Sequence, residues 1–135
     1  MSMSIEVGSS SHGREAAHAS IERVTIAWTT GDGTTAGLCS DTINIVGQVL
    51  EVITVPGGGS TYPSDSYAVQ LRDVDDSSVD YLNGQVTGHS DAVTFHEPMV
   101  STYQPVCVAG DVEFWLSDAA GTSDATGETV FFLKT

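Results

Sequence analysis

The densest group of side chains able to bind or catalyse is the acidic run Asp73, Asp75, Asp76 and Asp80. Calcium favours several carboxylate oxygens gathered on one loop, so the run is first tested against the EF-hand pattern. Counting from Asp73, the sixth position is Ser78 where the tight turn needs Gly, and the twelfth is Gly84 where a bidentate Glu is needed. The spacing therefore predicts a solvated acidic turn, with an irregular cation site as the alternative. His12, His18, His89 and His96 show neither the i, i+2 nor the i, i+4 spacing that gathers metal ligands on one element. No metal and no cofactor is expected.

His89, Ser90 and Asp91 carry the names of a hydrolytic triad, but only as sequence neighbours, and adjacent strand residues point to opposite faces. No GxSxG elbow, phosphate-binding loop or dinucleotide fingerprint is present, because the glycines fall in turns and none opens a helix. A non-catalytic protein is the expectation. Cys39 and Cys107 are the only cysteines and form no CxxC pair, which leaves two buried thiols or one disulfide.

The elements that carry these residues read as strands. Val24, Ile26 and Trp28 alternate with Thr25 and Ala27, and Asp32-Gly33 then suits a tight hairpin or looped turn. Residues 43–55, INIVGQVLEVITV, are β-branched with apolar groups on both faces from Val46 to Val55. That predicts a central strand, or one covered on both sides by a neighbouring subunit, with a bulge or bend at Gly47. The pattern continues through Tyr67, Val69 and Leu71, then Val79 with Tyr81 and Leu82, and an Asn83-Gly84 turn. Val93 with Phe95, and Val106 with Val108, give shorter strands; two stronger ones follow at 111–117 and 129–133, joined as a hairpin through AAGTSDATGE.

The fold class that follows is all-β: a single antiparallel β-sandwich or barrel of seven to eight strands with an extended N-terminal arm. The division predicted is an arm over residues 1–20 and a β-sandwich domain over 21–135. The arm offers only Ile5 and Val7 as a short alternating apolar pair, and its REAAHA stretch at 14–19 is too short for a stable isolated helical turn.

Eighteen carboxylates against four cations give a formal charge of -14, which excludes direct nucleic-acid binding as an expectation and favours a basic partner. No stretch approaches the roughly 20 apolar residues of a spanning helix, and the N-terminus has no secretory pattern, so a soluble domain without membrane contact is expected. Trp115 alternates with Phe114 and Leu116 and so faces away from the core, as does Phe131 if the last two strands form a hairpin. This predicts an exposed aromatic pair that anchors an interface, unless a loop or the arm covers it. Trp28 alternates with core residues, which weakens a sugar-stacking platform built from Trp28, Trp115, Tyr62, Tyr67 and Tyr103.

Read together, VTIAWTT, GQVLEVITVPGG, PSDSYAVQLRDVDD with YLNG, and DVEFWLSDAAGTSDATGETVFFLK resemble small capsid-associated virion proteins of tailed bacteriophages, of the decoration or cement kind. The similarity runs from about Val24 to Lys134 and rests on strand order and turn residues. It implies a protein made in the host cytoplasm that binds the outside of an assembled head and stabilises it. Its partner would be the major capsid protein or another virion protein, and it would act as a homo-oligomer; a neck or tail component shares these features. An arm that orders on docking fits that picture, with Ile5 and Val7 adding a strand to a neighbour's sheet edge.

Overall fold

The structure is a computed structural model that describes residues 2–10, 21–30, 39–101, 104–117, 119 and 125–135. The alternation at Val24, Ile26 and Trp28 becomes β2 (Ile21–Thr29), with those three side chains buried. On one side it pairs antiparallel with β1 (Ser2–Ser10), and on the other with β8 (Thr126–Lys134). The sheet continues through β3 (Cys39–Pro56) and β7 (Gln104–Ser117) to β4 (Ala68–Asp73), in the order β1-β2-β8-β3-β7-β4. Two short strands complete it: β5 (Thr94–His96) on β3 and β6 (Met99–Ser101) on β7. The protein is all-β and antiparallel, as its periodicity predicts.

β3 makes two layers out of this one sheet. Its first half, Cys39 to Val49, pairs with β7, whereas its second half, Gln48 to Pro56, pairs with β8. Gly47 has φ +144°, open only to glycine, and a Cβ there would stand 2.9 Å from the Lys134 carbonyl oxygen. Just beyond, a bulge between Val49 and Glu51 leaves Leu50 unpaired, so the strand turns a corner where the sequence predicted a bend. The inner faces then meet. Phe114 of β7 packs edge-on to Phe131 of β8 at 6.4 Å between ring centroids, and Trp28 of β2 to Tyr67 at 5.5 Å. Fully burying each such side chain is worth about 1.5–3 kcal/mol, so these pairs contribute to the hold between the layers together with the aliphatic core around them.

Several expectations change. Val106 and Val108 belong to the same strand as Val112, Phe114 and Leu116, because Gly110 at φ +110° continues the ladder opposite Ile45 instead of ending it. β2 and β3 form no hairpin, since β2 lies between β1 and β8. Nor do β7 and β8, because β3 lies between them. Val79 to Leu82 is not a regular strand; the segment carries turns, including Asn83 and Gly84 at φ 55° and 68°, the positive pair of a type I′ turn. It still lines the outer side of β4, where Tyr81 N–H donates to the Leu71 carbonyl (2.8 Å) and Val69 N–H to the Val86 carbonyl (3.1 Å).

Residues 2–10, expected to lack structure of their own, form β1 in register with β2, Ile5 opposite Ile26 and Val7 opposite Val24. The helical turn at 14–19, the Asp32-Gly33 turn, His12, His18, Tyr103 and most of the β7–β8 connection lie outside the described residues.

Candidate functional site

The acidic run spends its carboxylates on its own backbone. Asp73 Oδ1 accepts from the N–H groups of Asp75 (2.8 Å) and Asp76 (3.1 Å), and its Oδ2 accepts from the Tyr81 hydroxyl (2.6 Å). Asp76 Oδ1 takes the Ser78 N–H (3.0 Å) and hydroxyl (2.6 Å), while Asp80 caps Leu71, Leu82 and Gly84 N–H groups at 2.8–3.1 Å. The Tyr81 hydroxyl, then the Asp75 N–H, holds the Asp73 carboxyl below its ordinary value; the Ser78 side chain does the same to Asp76. These are bonds to the charged form, and they fix the turn against β4. Among the described residues no three His, Cys, Asp or Glu side chains are placed to hold a metal ion.

His89, Ser90 and Asp91 do not lie on a strand but in a bend, and the bend brings two of them together. His89 Nδ1 lies 2.8 Å from Asp91 Oδ1 and 3.4 Å from Asp65 Oδ1. Asp65 in turn accepts the Ser90 N–H at 2.9 Å, and its carboxyl is held below its ordinary value by that bond first and by the Ser90 hydroxyl next. Hydrolysis needs the order carboxylate, imidazole, hydroxyl. Here the hydroxyl is tied to a carboxylate instead, and all the carboxylates are wide open to water. The constellation is a surface hydrogen-bond network. His96 is also satisfied, with Nε2 2.7 Å from the Thr87 carbonyl.

Cys39 faces Leu116 and Cys107 faces Gln48 in the same ladder, nine residues apart along β7 and thus about 30 Å. A bridge needs Cα atoms within about 7 Å, so these two cannot form one, and Cys107 is an exposed thiol where a buried one was expected.

Of the expected aromatic anchors, Phe131 is corrected. It is fully buried, opposite Val24 on one side and Val52 on the other, because β8 sits in mid-sheet and presents Phe131 inward between Thr129 and Leu133. Trp115 does face outward, but it is half-buried and the Arg72 guanidinium covers its ring, 4.0 Å from the centroid. Trp28 and Tyr67 are core residues, so a sugar-stacking platform does not assemble from them.

What remains open is the edge. The sheet path ends at β4, whose outer side residues 79–88 line, and at β1, whose outer edge carries no partner strand among the described residues. Ile5 lies on that edge strand with 44% of its surface exposed, and the Ser2–Ser10 sequence contains no Pro or Lys, residues that block edge pairing. Ile5 and Val7 are thus on one strand, while Trp115 lies on β7, next to the far end strand β4, and Phe131 in the core. Sequence reasoning missed Phe95 and Ile21, both exposed; the signal for Phe95 was the double-faced apolar run of β3, opposite which it lies. No family model matches the chain, and no curated protein or solved structure is similar to it.

Proposed function

We propose that this protein is a non-catalytic virion structural protein, a capsid decoration or cement protein that docks on the assembled head of a tailed phage. The observation that carries the reading is the outer edge of β1, which no strand among the described residues pairs, with Ile5 half-exposed on it. An extended segment of the major capsid protein adds to that edge as one more strand, gaining main-chain hydrogen bonds, while Ile5 supplies side-chain contact. The acidic surface supports the same reading, since it steers the domain toward a basic patch and keeps free copies from aggregating. The resemblance stated above supplies the setting.

Docking at the edge differs from the arm-exchange picture, because the strand that receives the partner is already held by β2. The test is co-sedimentation of the full chain with purified heads, and separately with tails. Heads should carry the wild-type chain and lose it on Ile5→Lys, a charge on the open edge strand; because Ile5 stands opposite buried Ile26, a thermal melt of the variant confirms that the fold is kept. Binding to tails alone, or equal binding by Ile5→Lys, contradicts the proposal.

A further inference from the structure

The second half of β3 is apolar on both of its faces. Val52 and Thr54 enter the core, so Ile53 and Val55 must take the outer face. The register extends that outer face across neighbouring strands. Phe95, Ile53 and Val130 stand in one row, and Glu51, Phe132 and Arg23 in the next. Beyond them a groove of about 520 Å³ opens at the bulge, with Leu50, Phe132, Ile21, Met99 and Pro98 in its walls. Phe95 is 64% exposed. A strip of this kind running over four strands is not the scattered surface hydrophobicity that any soluble protein carries.

Charge says which partner suits it. The chain has four cations, and Arg23 and Lys134 both lie on this face, interleaved with Glu51, Glu97 and Glu128. In a molecule of net charge -14 this face is close to balanced, so a second copy meets far less repulsion here than at the acidic turn of residues 73–80. The arrangement within the row is also self-complementary. Phe132 stands between Arg23 on β2 and Glu51 on β3, each one strand away. A two-fold axis running along β8 stacks Phe132 on its own copy and sets each Arg23 against the other copy's Glu51.

We propose that this outer face is the interface of a symmetric dimer of the chain, centred on Phe132 and locked by two reciprocal Arg23–Glu51 pairs. The inference stands independently of what β1 docks on. Burial of Phe132, Ile21 and Leu50 supplies the attraction, and the paired charges fix the register.

Sedimentation equilibrium of the full chain tests it. The wild-type chain should be a dimer at micromolar concentration. Arg23→Glu should weaken the dimer about tenfold or more by placing like charges opposite each other. Glu51→Arg should do the same, and the double variant Arg23→Glu/Glu51→Arg should recover the wild-type dissociation constant to within about threefold, which a mere folding defect would not do. A monomeric wild-type chain overturns the proposal, as does a dimer indifferent to Arg23→Glu or a double variant no better than the singles. Co-sedimentation with heads reads β1 separately, so failure of either proposal is seen without the other.

Discussion

The guanidinium of Arg72 lies 4.0 Å from the centroid of the Trp115 ring, while its Nε donates to the Gln70 side-chain carbonyl at 2.7 Å. The indole and the cation come from adjacent strands, β7 and β4, where Trp115 stands opposite Gln70 and Arg72 opposite Glu113. An outward tryptophan that sequence alternation marks as an anchor is thus covered by its own sheet. Such a pair is worth about 0.5–1 kcal/mol at an exposed site. Trp115→Ala and Arg72→Ala should each lower stability by about that much or somewhat more, coupled in a double-mutant cycle of thermal melts, and neither should change binding to heads.

Phe131 gives the opposite expectation to the one its sequence neighbourhood suggested. It has no exposed surface and meets Phe114 across the layers at a near-perpendicular 88°. Phe131→Ala should cost about 3–5 kcal/mol in chemical denaturation, through lost transfer energy and the cavity left behind.

Gly88 is needed for contact, not for turning. A Cβ at this position would collide with the Tyr67 ring carbons, while Gly88 N–H donates to the Tyr67 carbonyl at 2.8 Å. Gly88→Ala should therefore displace a buried ring that also packs on Trp28, lowering stability by about 1–3 kcal/mol, with a change in tryptophan fluorescence.

Acid should loosen the acidic turns only at low pH. Asp65, Asp73 and Asp76 all titrate below their ordinary value of 3.8 because the charged form accepts hydrogen bonds. A group with a lowered folded pKa contributes stability above its unfolded value and loses it as pH falls through the folded one. That loss is confined to pH below about 4. Thermal midpoints should fall below about pH 4, and Asp73→Ala should blunt that acid limb. A midpoint that stays level down to pH 3 would contradict this assignment.

The strand content was legible because alternation at Val24–Trp28 and Val112–Leu116 is strict and needs no tertiary information. The corner at Gly47 was legible for the same reason, since the alternation loses phase there. Strand order was not legible. Periodicity is a property of one strand, whereas placing β3 between β7 and β8 depends on long-range pairing, and the error propagated directly to Phe131. The acidic turn was read correctly as solvated, but not as the cap that lines β4, because side-chain bonds to Leu71 and Gly84 N–H groups leave no trace in spacing. The His89–Asp91 contact escaped because a bend, not a strand, carries it.

Hydrogen exchange of residues 2–10, measured on the free chain and on the chain bound to heads, reads the open edge directly. The β1 amides facing away from β2 should exchange quickly in the free chain and become protected on heads, while amides of β4, lined by residues 79–88, stay unchanged. Protection that appears elsewhere and leaves β1 as fast as before would contradict docking at this edge.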